Sequence, residues 1–192
     1  MHRITIALTT MFLLVPAWAA NVGEEKIGTP APEFALHQWI NSSPLEIDQL
    51  KGKVVLVRWW TDTCPLCAAT APALRQLEAK YGDKGLVVIG VFHPKPAGDA
   101  NLERVRRAAE KYQFRFPVAL DANWTALRRW WLDGAQRKYT SVSFIVDKQG
   151  IIRYVHPGGQ YHLAADNSPL QTMCERDFHR IESTIETLLQ EP

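Results

Sequence analysis

Cys64-Pro65-Leu66-Cys67 stands between an apolar run, Val54 to Trp60, and a stretch from Cys67 to Tyr81 with helical periodicity. Two thiols at this spacing, between a strand and a helix, are a redox signature. One helical turn separates them, near enough to close a disulfide. The first falls at the helix N-terminus, where unpaired N–H groups and the macrodipole favour a thiolate. Cys64 is therefore the expected attacking sulfur, and Cys67, facing inward, the resolving one. Pro65 suits the first helical position, where its missing N–H costs nothing and its fixed φ fits the turn.

The elements that hold this pair follow from the rest of the chain. With 192 residues and 46% hydrophobic composition, the chain has enough material for one well-packed domain. Residues 1–19 read as a signal peptide: a short basic start at His2 and Arg3, an apolar core from Ile4 to Val15, and a small-x-small cleavage site at Ala17-Trp18-Ala19. Residues 20–30 read as a polar, mobile lead, and residues 31–192 as a single domain. The apolar stretch is too short for a membrane-spanning helix and is broken by Pro16, so no stable membrane insertion is expected. Lys and Arg (22) nearly balance Asp and Glu (20), with no basic run, which speaks against nucleic-acid binding. Export places the chain in a periplasmic or otherwise oxidising space, with protein or small-molecule thiols and disulfides as partners. Three cysteines leave one unpaired.

Short strands are expected around Phe34, Leu36, Leu45 and Ile47, then a buried strand over Val54–Trp60 and another over Leu86–Phe92, with the Cys-bearing helix between them in a βαβ unit. A helix, strand, helix insertion follows, its second helix carrying Trp124, Leu127, Trp130 and Trp131. Val142–Asp147 and Ile151–Val155 form a hairpin across Lys148-Gln149-Gly150. Ser168 caps a final helix with Pro169 at its first position and Leu170, Cys174, Phe178, Ile181, Ile185 and Leu188 on one face.

Together these features resemble the thioredoxin fold, an α/β three-layer sandwich with a central mixed sheet. The series Gly28-x-x-Ala31-Pro32-x-Phe34, Leu50-Lys51-Gly52-Lys53-Val54 and Trp60-x-x-x-Cys64-Pro65-x-Cys67 is similar to the TlpA-like branch of exported thiol-disulfide oxidoreductases, a redoxin-type domain. Pro72 and Phe144-Ile145-Val146-Asp147-x-x-Gly150 extend the likeness. It implies disulfide exchange through Cys64 and Cys67, no dissociable cofactor, and a membrane electron donor as a possible partner. Trp60, Thr61, Thr63 and Pro65 then flank the pair, and Thr140 and Ser141 face it from the hairpin.

Three departures fall where this fold tunes its thiols. Ser141 stands where the resemblance implies a cis-proline; a non-proline cis bond costs about 3 kcal/mol, so a trans peptide is expected. Arg58 stands where thioredoxins often carry a buried acid, and a guanidinium cannot accept a proton. Thr70 stands where TlpA-like proteins often have Glu. If Arg58 points at the sulfurs, it should depress the Cys64 pKa and make the disulfide more oxidising than thioredoxin's; the alternative is an arginine that snorkels to solvent.

His93 and His156 end strands at the edge that holds Cys64, placing them at the active-site rim as proton carriers or as ordinary loop residues. Adjacent Trp130 and Trp131 cannot both point inward from one helix, so one of them, with Trp131 the candidate, belongs at that rim. Cys174 falls on an apolar stripe and reads as a core residue. No compact ligand spacing supports a metal site. Two further functions compete with disulfide exchange: a peroxiredoxin-like peroxidase, from Thr61-x-x-Cys64, and a non-enzymatic thiol chaperone or metal-delivery module, from the lost cis-proline.

Overall fold

The computed structural model describes residues 22–137, 139–163 and 168–192. The signal peptide expected at residues 1–19 lies outside the described residues. Ten regular elements follow one another: β1 (Trp39–Ile40), β2 (Val54–Trp60), α1 (Pro65–Tyr81), β3 (Leu86–Phe92), α2 (Leu102–Lys111), β4 (Val118–Leu120), α3 (Thr125–Leu127), β5 (Ser143–Val146), β6 (Ile152–His156) and α4 (Pro169–Gln190). The strands form one six-stranded sheet in the order β1-β4-β3-β2-β5-β6.

β2 lies at the centre, parallel to β3 and antiparallel to β5. Every one of its seven residues is buried, as expected for a strand covered on both faces. Alternation then divides its side chains. Leu56 and Trp60 join Cys67, Leu74 and Leu77 of α1 and Phe178, Ile181 and Ile185 of α4 in one core. Val55, Val57 and Trp59 join Phe34, Trp130 and Phe144 in a second core on the opposite face. Arg58, between Leu56 and Trp60, shares the first face.

Four local expectations give way to tertiary contacts. Residues 22–30 are docked instead of mobile: Ile152 N–H donates to Thr29 O and Ala31 N–H to Gly150 O, and Pro30 bridges Ile151. The strand pairing near the N-terminus is only Trp39–Ile40 against β4, and Ile47–Leu50 forms a 3-10 turn. The second helix of the insertion is one α turn, entered from Trp124 at φ 60°, that widens into a π turn over Arg128–Leu132. Leu170, assigned to the buried stripe of α4, is exposed, and Gln171 is buried in its place.

Trp130 and Trp131 are both buried, which corrects the rim assignment of Trp131. Their helix is covered on two sides. Trp130 packs inward on Trp59 and Phe144, with ring centroids 5.1 and 5.2 Å away. Trp131 is covered from outside by the docked N-terminal segment and by the Arg137 guanidinium, 4.1 Å from its ring, and donates its indole N–H to Tyr139 O at 2.7 Å.

Phe144 touches Trp59, Trp130 and Trp131 and joins β5 to this aromatic layer. Phe144→Ala is expected to lower unfolding free energy by about 3–5 kcal/mol, read as a lower urea midpoint with unchanged denaturant slope.

Candidate active site

The site is built at the C-terminal ends of β2, β3 and β6, where the chain turns from β2 into α1. Cys64 is the N-cap of α1, with extended backbone angles of φ −100° and ψ 114°, and Pro65 opens the helix. Its carbonyl already accepts from Cys67 N–H at 3.0 Å and from Ala68 N–H at 3.2 Å. The loop before it is held from the side. Asp62 accepts two hydrogen bonds from Arg104 of α2, at 2.8 and 2.9 Å. That two-pronged contact with Arg104 holds the Asp62 carboxyl below its ordinary range despite partial burial.

The two thiols meet different solvents. Cys64 is partly exposed, whereas Cys67 is 3% exposed and packed into the α1 core. Partial burial works against a Cys64 thiolate. The nearby Cys67 thiol and the N–H groups of Cys67 and Leu66, with the positive charge of Lys95, outweigh it and hold the Cys64 thiol below its ordinary value. Burial pushes the Cys67 thiol up; Arg58, the Ser141 hydroxyl and the Thr61 N–H oppose that rise without reversing it. Such a pair can present one sulfur as a nucleophile and keep the other protonated until needed.

Ser141 reaches the buried sulfur directly, its Oγ 3.1 Å from Cys67 Sγ. The Thr140–Ser141 peptide is trans. Gly158 makes room for this loop. At φ +129°, a Cβ there would fall 2.6 Å from Tyr139 Cβ and 3.3 Å from Ser141 O.

Arg58 is 1% exposed, which excludes the snorkelling arrangement. Its guanidinium donates to Ser143 Oγ at 3.3 Å and to Gly159 O at 2.9 Å, and lies 5.5 Å from the Tyr161 ring centre. Ser143 Oγ in turn meets Tyr161 Oη at 2.9 Å. The positive charge bears on Cys67. Depression of the Cys64 thiol comes instead from the helix start, the second thiol and Lys95, so the expectation that Arg58 sets the Cys64 pKa is corrected.

His93, the residue after β3, and His156, the last residue of β6, lie at the expected edge but are buried, not at a solvent rim. Desolvation, reinforced by Lys95 and Arg58, lowers His93 to about 3. Desolvation and Arg58 lower His156 to about 4, against the pull of Asp177 at 3.3 Å. Both are neutral at pH 7. His93 Nε2 meets Thr140 Oγ1 at 2.8 Å and thereby steadies the residue before Ser141.

Thr61 is buried, and its hydroxyl donates to Asp62, 3.3 Å away. Thr70 is buried and donates to Leu66 O at 2.8 Å, the bond to the preceding turn usual for helical threonine. Thr63 is exposed beside Cys64, and Trp60 lies beneath it among Phe92, Tyr112 and Phe114. Cys174 is buried on α4. Among the described residues no group of three His, Cys, Asp or Glu side chains is arranged to hold a metal ion. A groove of about 800 Å³ between the N-terminal segment, β6 and α4 contains neither Cys64 nor Cys67.

Sequence reasoning missed Lys95, Ser143, Gly159, Tyr161 and the Asp62–Arg104 clamp. Ser143 was recoverable from the antiparallel hairpin register, which sets it opposite Arg58. Lys95 follows the end of β3 by three residues, at the same sheet edge as Cys64. The loop carrying Gly159 and Tyr161 has no periodicity from which to place it.

This architecture is a thioredoxin fold with one accessible and one buried thiol at a helix start. A thiol-disulfide isomerase from Corynebacterium glutamicum has the same fold, at a TM-score of 0.63 and 21% identity over 85% of this chain and 97% of that one. Residues 27–155 match the AhpC/TSA family, and the chain belongs to that family. It is similar to the thiol-disulfide oxidoreductase ResA of Bacillus cereus, 27% identical over 139 residues, covering 72% of this chain and 74% of that relative. Protein DipZ of Mycobacterium bovis is 30% identical over 146 residues, or 72% of this chain. The chain spans 20% of the length of DipZ. Among the described residues no helix is long and apolar enough to cross a membrane.

Alkylation of Cys64 by iodoacetamide should reach half its maximal rate below the pH typical of a free cysteine. Lys95→Met should raise that midpoint by about half a pH unit, and added salt should shrink the difference. For the buried histidines, the unfolded chain binds protons near pH 6.5 that the folded chain refuses until about pH 4 and about pH 3. Their contribution to stability is therefore present above about pH 6.5 and lost as the pH falls toward 4. The urea midpoint should drop over that range in the wild type, and by less in His93→Gln and His156→Gln.

Proposed function

We propose that this protein is a thiol-disulfide oxidoreductase working through Cys64 and Cys67. The observation that carries the reading is the unequal solvation of two thiols one turn apart: Cys64 is partly exposed and its pKa is lowered, while Cys67 is buried and its pKa is raised. In the reducing direction, the Cys64 thiolate attacks a substrate disulfide, forming a Cys64–substrate disulfide and releasing the other substrate sulfur as a thiol once protonated. Cys67 then loses its proton and attacks Cys64. The Cys64–Cys67 disulfide forms, and the second substrate sulfur leaves and takes up a proton. The reverse sequence donates the disulfide.

Substrates are disulfides or thiols of proteins or small molecules, met in the periplasm or outside the cell after cleavage of residues 1–19. A membrane electron donor would restore the dithiol if net reduction is the role. The protein's own chemistry needs no dissociable cofactor. Peroxide chemistry is less well supported, because the Thr61 hydroxyl is engaged by Asp62 and a second thiol lies within a turn of Cys64.

In an insulin-reduction assay driven by dithiothreitol, Cys64→Ser should reduce turnover to background. Cys67→Ser should accumulate a mixed disulfide through Cys64, and Cys174→Ser should leave turnover within about twofold of wild type. Equally active Cys64→Ser and wild-type proteins would reject the reading. Because the surroundings of Cys64 favour the reduced thiolate, Lys95→Met should lower the reduction potential read by equilibration with glutathione.

A further inference from the structure

A buried cation needs an anion, and among the described residues none is paired with Arg58. Its hydrogen bonds go to a hydroxyl and a carbonyl, its Nε has no partner, and among the described residues it forms no ion pair with a carboxylate. Desolvating a guanidinium costs several kcal/mol, and neutral partners return only part of that. Asp177, the acid beyond His156, is already bonded to that histidine.

The geometry supplies a transient anion. Ser141 stands two residues before Ser143, the first residue of β5. Ser143 holds Arg58, and Ser141 holds the sulfur of Cys67. Arg58 also lies between Leu56 and Trp60, both in the core that contains Cys67. The guanidinium and the buried sulfur thus share one face of the sheet, each held by a serine of the same segment, and the charge of Arg58 bears on Cys67.

We propose that Arg58 is the positioning counter-charge for the Cys67 thiolate formed in the resolving step, with Ser141 donating its hydroxyl proton in a hydrogen bond to the same sulfur. This rests on the disulfide-exchange reading. In that step Cys67 Sγ loses its proton and forms a bond to Cys64 Sγ. The bond from Cys64 to the substrate sulfur breaks, its electron pair leaves with that sulfur, and one proton in total passes from Cys67 to the departing thiol. Arg58 accepts no proton; it stabilises the anion that appears before the S–S bond closes. The step proceeds through a stabilised thiolate.

Titratable groups face the pair from every side. Cys64 comes from α1, Tyr112 from the turn after α2, His93 from the end of β3, His156 from the end of β6 and Tyr161 from the following loop. The histidines are neutral at pH 7 and burial holds both tyrosines in the protonated form; Lys95 bears on Cys64 and His93, Asp62 on Tyr112 and Asp177 on His156, while Arg58 is the cation that bears on Cys67.

The test separates the cation from the reaction. In Cys64→Ser/Cys174→Ser protein, Cys67 is the sole thiol, and its ionisation is followed by the ultraviolet absorbance of the thiolate. Arg58→Met should raise the midpoint by at least about one pH unit, a tenfold loss of thiolate at a fixed pH below it, and Arg58→Lys should restore most of the shift. Arg58→Gln gives a second neutral side chain that can still hydrogen-bond, should the Met variant fail to fold. A folded Arg58→Met or Arg58→Gln protein with an unchanged midpoint overturns the proposal.

In the otherwise intact pair, an aromatic disulfide reagent releases one coloured thiolate when Cys64 attacks and a second when Cys67 resolves. Arg58→Met should leave the first release within about twofold and slow the second about tenfold near neutral pH. Equal slowing of both would overturn the assignment to Cys67. A wild-type protein that releases only the first would refute disulfide exchange itself, while the thiolate titration would still decide the role of Arg58.

Discussion

Keeping one sulfur wet and its neighbour dry, one helical turn apart, is the constraint on which the rest of this structure depends. A helix start does the first part, because Cys64 as N-cap of α1 points its thiol at the unpaired N–H groups of the opening turn. Packing does the second. Leu74 and Leu77 seat α1 on β2, and the same face carries Cys67 into the core. The Asp62–Arg104 clamp ties the loop between strand and helix to α2.

Beneath the buried sulfur lies a polar layer in an otherwise apolar core. Arg58 enters it from the middle of the central strand, at a position where alternation would ordinarily place an aliphatic side chain between Leu56 and Trp60. The hairpin accommodates the guanidinium with two serines: Ser143 faces Arg58 across the antiparallel register, and Ser141 contacts the thiol. The same charge works outward, helping to keep His93 and His156 neutral. The shifts of Cys67, His93 and His156 therefore share one electrostatic source.

The opposite face of the sheet does mechanical work. Trp59, Trp130 and Phe144 interlock there, and the N-terminal segment closes over Trp131 after bonding to the hairpin. This layer holds β5 against β2, which is what sets Ser141 and Ser143 in place. Trp131 shows why local reasoning failed here: one helix face looks exposed until a segment more than 100 positions earlier in the chain is laid over it.

The sequence by itself determined the Cys64–Cys67 pair, its place between a strand and a helix, the βαβ unit, the hairpin and the capped final helix. Those features are written in short-range patterns: apolar periodicity, a proline at a first turn, a glycine at a hairpin corner and a serine at a helix cap. It also marked Arg58, Ser141 and Thr70 as unusual. Only the tertiary structure decided which thiol Arg58 serves, whether the guanidinium stays inside, and that both histidines are buried and neutral. Those answers depend on distance and solvent exclusion among β2, β5, α1 and the loop reaching Tyr161. Charge and burial act through space, and no spacing along the chain encodes the separation between residues brought together from positions 58, 67, 141 and 161.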